Sequence, residues 1–186
     1  GLVASGADIP GDAVDWLKDQ QNPDGGWGWG AAVDSDTNST ALVVETLMAC
    51  GMENEDPMID DALSYLDSMQ APDGGFLYDG TYSVSDGDST AMTIQALLAA
   101  GENPSSGWQW AQTLTGTEQI TMTIRKPADR VMSLQTPDGA FEWQPGQGAN
   151  LWTTLTAMPA LAGRPFPWRR TELYLPLIYS GAALVQ

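Results

Sequence analysis

The sequence predicts an all-α protein built from repeated helical hairpins, and three observations lead to this prediction. A nonapeptide that begins with Gln occurs three times, at residues 21–29, 70–78 and 135–143. Each copy follows an amphipathic segment. Each also precedes an apolar segment that is rich in Thr and Ala and ends at Gly. Repetition of this kind indicates an array in which every hairpin packs on its neighbours.

The amphipathic segments predict outer helices over about residues 13–21, 58–70 and 127–135. Apolar residues lie four and seven positions before each repeated Gln, with charged residues between them, which gives a stripe with the period of a helix. Pro57 and Pro127 fall at first-turn positions, where a helix accepts proline.

The nonapeptide predicts the turn of each hairpin. Its Pro fixes one φ angle, its Asp can bond to its own backbone, and its Gly supplies a positive φ. The Gln and the aromatic residue are expected to stack one hairpin on the next. The residues with this structural role are Gln21, Asp24, Gly25, Trp27, Gln70, Asp73, Gly74, Phe76, Gln135, Asp138, Gly139 and Phe141.

The second segments predict inner helices over residues 40–50 and 90–100, each of which stops at a Gly suited to a helix C-terminus. Both are apolar on nearly every side, so we expect them to be buried all round, inside a layer of outer helices. The third segment, 152–163, contains Pro159 and predicts a bent or shortened helix.

Two parts of the chain do not follow the repeat. The stretch between Gly101 and Pro127 contains segment 119–125, whose alternation of polar and apolar residues fits a short strand and a helix about equally well. Residues 164–186 predict a linker and an apolar tail, distinct from a repeat domain over 1–163. Residues 2–6 are similar to the ends of the inner helices, so we expect the chain to begin inside an earlier hairpin of a longer protein.

Composition excludes several classes of function. The 186 residues include 24 acidic and 7 basic ones, for a net charge of −17, which disfavours nucleic acid and anionic lipid as partners. The apolar tail is far shorter than the roughly 20 residues that span a bilayer. The chain has no His and a single Cys, Cys50, so it lacks catalytic triads and the usual zinc ligands. A calcium loop starting at Asp34 would have Ser39 where Gly is required. We expect no metal and no cofactor.

The repeated Gln-x-Pro-Asp-Gly-Gly-aromatic motif resembles the Gln-Trp repeats of the α/α-toroid superfamily. That superfamily includes squalene–hopene and oxidosqualene cyclases, protein prenyltransferases and, more distantly, cobalamin carriers. The resemblance covers about residues 1–163 and implies part of a toroid with inner and outer helix layers, which self-association could complete. It also implies no protein prenyltransferase activity, because those enzymes hold zinc through Asp, Cys and His, and this chain has no His.

Residues 86–91, Asp-Gly-Asp-Ser-Thr-Ala, resemble the Asp-x-Asp-Asp-Thr-Ala motif of class II terpene cyclases. The resemblance implies that Asp88 is the acid that protonates an alkene or epoxide, with Ser89 in place of the family's other Asp. A carboxylic acid in an apolar cavity has a raised pKa and can deliver a proton. Residues 36–41 share the Ser-Thr-Ala, however, and this repetition favours helix capping over catalysis.

We therefore favour a non-catalytic module of a larger exported protein that acts in ligand binding or scaffolding. The acidic charge suggests a secreted or cell-surface location. The partner would be an apolar small molecule or another protein. The candidate binding residues are Val43, Met92, Ile94, Trp108 and Trp110. The alternative is a terpene cyclase-like enzyme in which Asp88 donates the proton and aromatic residues stabilise cations.

Overall fold

The computed structural model describes residues 10–104 and 126–165, which form six helices and one two-stranded sheet. The outer helices are α1 (Gly11–Lys18), α3 (Pro57–Ser68) and α5 (Pro127–Met132), and the inner helices are α2 (Thr37–Ala49), α4 (Gly87–Ala99) and α6 (Leu151–Leu161). Strands β1 (Phe141–Glu142) and β2 (Ala149–Asn150) pair antiparallel, with Phe141 opposite Asn150. The prediction of helical hairpins is confirmed for these ranges. Segment 119–125, Trp108 and Trp110 lie outside them.

The helices form two layers. Helix α4 packs between α2 and α6, while α3 packs on α2 and α5 packs on α4. One apolar cluster joins the first and second hairpins and includes Trp27, Leu47, Leu66 and Met92. A second cluster joins the second and third hairpins. Because α4 contributes to both clusters, it is the centre of the described array.

The inner helices begin earlier in the sequence than predicted because polar residues cap them. Asp36, Asp86 and Asn150 each have extended backbone, and each side chain accepts a hydrogen bond from the backbone N–H three residues later. Such a cap satisfies an N–H group that the helix leaves without a partner. Capping therefore sets the first residue of each inner helix.

The outer helices end before the repeated Gln, whereas the sequence predicted that they would reach it. The residue after each Gln donates its backbone N–H to the carbonyl group four residues later, at 2.8–2.9 Å, so the backbone has already left the helix. Gly25, Gly74 and Gly139 adopt φ values of 87°, 89° and 92° inside these turns. A residue with a Cβ atom rarely adopts such a conformation, which explains the glycine.

The repeated Gln residues hold the same turns closed. The Nε2 atom of Gln21 donates to the carbonyl of Gly25 at 2.9 Å and to the carbonyl of Met58 in α3, also at 2.9 Å. Gln70 and Gln135 donate to the equivalent glycine carbonyl of their own turns at 3.3 Å. In the first repeat, the Gln side chain therefore also links neighbouring outer helices.

Burial on all sides is confirmed for α4 but is wrong for α2, and α6 is also partly exposed. Most of α4 is buried, whereas Leu42 in α2 is 52% exposed and Met158 in α6 is 63% exposed. The difference follows from the neighbouring inner helices. Helix α4 has an inner helix on both sides, whereas the described ranges include an inner helix on only one side of α2 and of α6. Helix α6 continues past Pro159 to Leu161 and has 11 residues, against 13 in α2 and α4. It is therefore shortened, as predicted.

Candidate functional site around Asp88

Asp86 and Ser89 form the cap that starts α4. Both carboxylate oxygens of Asp86 accept hydrogen bonds from Ser89, one from its backbone N–H at 2.8 Å and one from its hydroxyl at 2.9 Å. Asp36 and Ser39 repeat this arrangement at the start of α2, with both distances 2.7 Å. The capping interpretation is thus confirmed for Asp86, whose carboxylate is fully used in the helix start.

Thr90 ties the preceding turn to α4. Its hydroxyl accepts the backbone N–H of Phe76 at 3.0 Å and donates to the Asp86 carbonyl at 2.6 Å. Thr40 and Thr154 accept the N–H of Trp27 and of Phe141 in the other hairpins, both at 2.9 Å. Ser89 and Thr90 of the motif therefore stabilise the start of α4, and the Asp88 side chain takes no part in these hydrogen bonds.

Asp88 lies in the first turn of α4 and is neither fully buried nor fully exposed. Its Oδ1 atom is buried and has no hydrogen-bond partner among the described residues, and the same holds for the hydroxyl oxygen of Thr153 in α6. Burial raises the pKa of the Asp88 carboxyl, and the nearby Thr153 hydroxyl acts in the opposite direction. Burial is the larger of the two effects, so the pKa of the Asp88 carboxyl lies above its ordinary value.

A close approach of two inner helices places Thr153 beside this turn. The N–H of Gly87 donates to the carbonyl of Trp143 at 2.8 Å. A Cβ atom at position 87 would lie 2.5 Å from the Cγ2 atom of Thr153. Only glycine allows this approach, so Gly87 and Thr153 together bring the third hairpin against the Asp88 turn.

Burial also raises the pKa of Asp86, and the negative charge of Asp88 adds to the increase, while the hydrogen bonds from Ser89 oppose it. Both oxygens of Asp86 accept hydrogen bonds from Ser89, whereas Oδ1 of Asp88 accepts none among the described residues. The Asp88 Oδ1 atom is therefore not used in the helix cap.

Asn38, Asp88 and Trp152 are the second residues of α2, α4 and α6. Equivalent positions on neighbouring inner helices form a row along the inner layer. The Oδ1 atom of Asn38 is buried and lacks a partner within the described ranges, and Trp152 is 56% exposed. Of the three, Asp88 alone has a carboxyl group.

The predicted ligand residues lie elsewhere in the packing. Met92 is 5% exposed and packs with the cluster on the α2 side, and Ile94 is 1% exposed and packs towards α6. Val43 is partly buried against the first cluster. Met92 and Ile94 thus join α4 to the inner helices on its two sides.

Sequence reasoning missed two residues of the site, Thr153 and Trp152. Alignment of the third inner helix on its cap Asn150 would have paired Thr153 with Ser89 and Trp152 with Asp88. Over the ranges that the structure covers, no group of three or more Cys, Asp and Glu side chains could hold a metal. None of the helices there is long and apolar enough to cross a bilayer.

Comparison with known proteins agrees with this geometry. The model of the prenyltransferase alpha-alpha toroid domain matches residues 6–163. A drimenyl diphosphate synthase of Streptomyces showdoensis is 30% identical over 130 residues, which are 69% of this chain and 21% of that protein. One from Streptantibioticus cattleyicolor is 35% identical over 97 residues, covering 52% and 18%. A squalene–hopene cyclase of Bradyrhizobium diazoefficiens is 35% identical over 103 residues, covering 49% and 15%.

The chain thus spans about a fifth or less of the length of these curated relatives. The family match, in contrast, covers most of the chain and includes all six described helices. The alternation of outer and inner helices is the architecture that the repeats predicted. The chain therefore belongs to the family of the prenyltransferase alpha-alpha toroid domain.

Proposed function

We propose that this domain is part of a terpene cyclase-type enzyme and that Asp88 is the acid that starts the reaction by protonating an isoprenoid. The observation that carries the proposal is the Asp88 carboxyl, which has a buried oxygen with no hydrogen-bond partner among the described residues and a pKa raised by burial. The relatives support it, since two are named for drimenyl diphosphate synthesis and one for squalene–hopene cyclisation.

The reaction begins with the acid. The π electrons of an alkene form a bond to the carboxyl proton, and the electrons of the O–H bond remain on Asp88 as carboxylate. The resulting carbocation is attacked by a second alkene, which closes a ring. Transfer of a C–H proton to water then ends the reaction, and the electrons of that C–H bond form the new double bond. Because Asp88 lies in the first turn of α4, the positive end of the helix dipole stabilises the carboxylate that forms.

Trp152 has the chemistry to assist the later steps. Its exposed ring occupies the position on α6 that Asp88 occupies on α4, and an aromatic face stabilises a nearby carbocation by cation–π attraction. Thr153 would pack against Gly87 in the turn that carries the acid, without taking part in proton transfer. In this proposal Asp86 and Ser89 act only through the helix cap.

Ser89 favours a second candidate, a non-catalytic module that binds an apolar ligand or a protein. Ser89 stands where the resembled motif has Asp, and its hydroxyl and N–H are committed to Asp86. Without a second carboxyl at this position, the acid loses a group that could tune it. If the protein is such a module, we expect it to be exported, because the net charge is −17.

The two proposals are separated by incubating the protein, as its gene encodes it, with squalene and with linear polyprenyl diphosphates, followed by mass spectrometry of the products. The enzyme proposal expects a cyclic product that disappears in Asp88→Asn and persists in Asp138→Asn, a control at an exposed acid. Saturable binding of these compounds without any product would support the binding module. A cyclic product made equally well by Asp88→Asn would refute the role of Asp88.

A further inference from the structure

Helix α6 presents an uncovered apolar surface. Leu151, Leu155 and Met158 are 86%, 51% and 63% exposed, and they recur at intervals of four and three residues, so they lie on one side of the helix. These three residues are called the α6 apolar face. Large apolar side chains grouped in this way indicate a surface that another segment covers.

The corresponding surface of α4 is covered by the next inner helix. The residues of α4 that align with Leu151, Leu155 and Met158 are Gly87, Ala91 and Ile94. All three are buried, and they pack towards α6, Gly87 against Thr153 and the other two in the cluster with Ala157 and Ala160. In this array, therefore, the segment that covers an inner helix comes from the next part of the chain.

The chain supplies one such segment within reach. Residues 173–179, Leu-Tyr-Leu-Pro-Leu-Ile-Tyr, are apolar and follow the last described residue, Pro165, after residues 166–172. A seven-residue connection can span roughly 23 Å, which exceeds the length of about 16 Å expected for the 11 residues of α6. Length therefore permits residues 173–179 to reach any part of the α6 apolar face.

Charge favours the same contact. Residues 164–186 contain three of the seven basic residues, Arg164, Arg169 and Arg170, but only one of the 24 acidic residues, Glu172. The rest of the chain carries the other acidic residues and is strongly negative. The opposite charges therefore favour contact between residues 164–186 and the repeat domain.

We propose that residues 173–179 pack on the α6 apolar face in the same chain, as α6 packs on α4. The contact buries Leu155 and Met158 and completes the third hairpin interface. It is independent of the proposed reaction, since it involves neither the proton of Asp88 nor a substrate.

Disulfide crosslinking in the full 186-residue chain tests the proposal. In a Cys50→Ala background, which removes the sole natural Cys, the pair Leu155→Cys and Leu177→Cys is oxidised at low protein concentration. A second pair, Met158→Cys with Leu173→Cys, is used in case the first pair disturbs folding. Circular dichroism shows whether each variant is folded. The control pair, Leu42→Cys with Leu177→Cys, places the thiol at a similarly exposed residue of α2, on the other side of α4.

The proposal expects a monomer with an internal disulfide for both test pairs and not for the control. A disulfide-linked dimer would show that a second copy covers the face and would overturn the proposal. Internal crosslinking no faster than in the control pair would overturn it as well.

Thiol accessibility gives an independent readout. In Cys50→Ala with Leu155→Cys, the maleimide labelling rate should rise by about tenfold or more when Leu177→Asp is added, because the charge expels the segment from the apolar face. An unchanged labelling rate would mean that residue 177 does not cover Leu155.

Discussion

Arg130 of the third hairpin reaches back to Asp73 in the turn of the second, with its Nε atom 3.1 Å from the Asp73 Oδ2 atom. The same Nε donates to the hydroxyl oxygen of Ser85 at 2.9 Å, and that hydroxyl donates to Asp73 at 2.7 Å. The Arg130 side chain is only 11% exposed. One guanidinium thus links α5 to both ends of the loop that leads into α4, and so supports the start of the helix that carries Asp88.

Replacement of Arg130 should destabilise the fold. Arg130→Gln removes a charged, largely buried hydrogen-bond donor and leaves Asp73 without its ion pair, so we expect the free energy of unfolding to fall by about 2 kcal/mol. The control is Lys18→Gln, because Lys18 lies 4.0 Å from an Asp15 side chain that is 77% exposed. We expect the control to cost less than about 0.5 kcal/mol. Urea denaturation measures both, and equal losses would contradict the role given to Arg130.

The Thr90 hydroxyl should contribute measurably to the free energy of unfolding. Thr90→Val removes the hydroxyl that accepts the buried N–H of Phe76, and we expect a loss of about 1–3 kcal/mol in the free energy of unfolding. Thr46→Val is the matched control, since the exposed Thr46 hydroxyl donates to the Leu42 carbonyl of its own helix. If thermal unfolding and urea titration show the same change for both variants, the turn-to-helix hydrogen bond does not stabilise the fold.

Gly75 should not tolerate a side chain. A Cβ atom there would lie 2.6 Å from the Ser85 hydroxyl oxygen and 2.8 Å from Cγ of Arg130, within the network described above. We therefore expect Gly75→Ala to lower the free energy of unfolding by about 1–3 kcal/mol, as overpacking does. Gly80→Ala is the control, because no atom lies within 4 Å of a Cβ built there. Comparable stability of the two variants would show that the network can move aside.

The raised pKa of Asp88 gives stability a pH dependence with a defined sign. Below the unfolded pKa of about 3.9, the carboxyl is neutral in both states. As the pH rises through the folded pKa, ionisation favours the unfolded chain, so the contribution of the neutral acid is lost. Asp88→Asn should therefore raise the free energy of unfolding at pH 7, and it should change that free energy less at pH 3.

The control for this titration is Asp138→Asn. The Thr136 hydroxyl lowers the pKa of Asp138, so the charged form contributes stability at pH 7 that is lost as the pH falls. This variant should be less stable than the wild type at pH 7, and the difference should be smaller at pH 3. Urea titrations at both pH values that show one sign for the two variants would contradict the assignment.

The repeated motif carried most of the information about the fold. Pro57 and Pro127 begin outer helices as predicted, and the three Gly-containing turns join outer to inner helices. Local chemistry suffices there, since proline, glycine and capping residues restrict the backbone of their immediate neighbours. The same local rules predicted that Asp86 caps α4.

Contacts between hairpins were not predictable in the same way. Thr153 meets the Asp88 turn only because Gly87 permits a close approach of two inner helices, and Arg130 reaches Ser85 across 45 residues of sequence. The apolar pattern of α6 likewise did not show which side would be exposed, because all three inner helices share that pattern and differ in their neighbours. The surroundings of Asp88 therefore depend on packing between repeats, whereas the turns and helix caps depend on residues within each repeat.

The central claim, that Asp88 transfers a proton to an isoprenoid, is tested most directly by isotope incorporation. The wild-type protein, Asp88→Asn and Asp138→Asn are each incubated with squalene and with linear polyprenyl diphosphates in D₂O, and the products are analysed by mass spectrometry. We predict that the wild type and Asp138→Asn yield a cyclic product with deuterium at the protonated carbon and that Asp88→Asn yields none. Unlabelled linear substrate from the wild type, or the same deuterated product from Asp88→Asn, would contradict the claim.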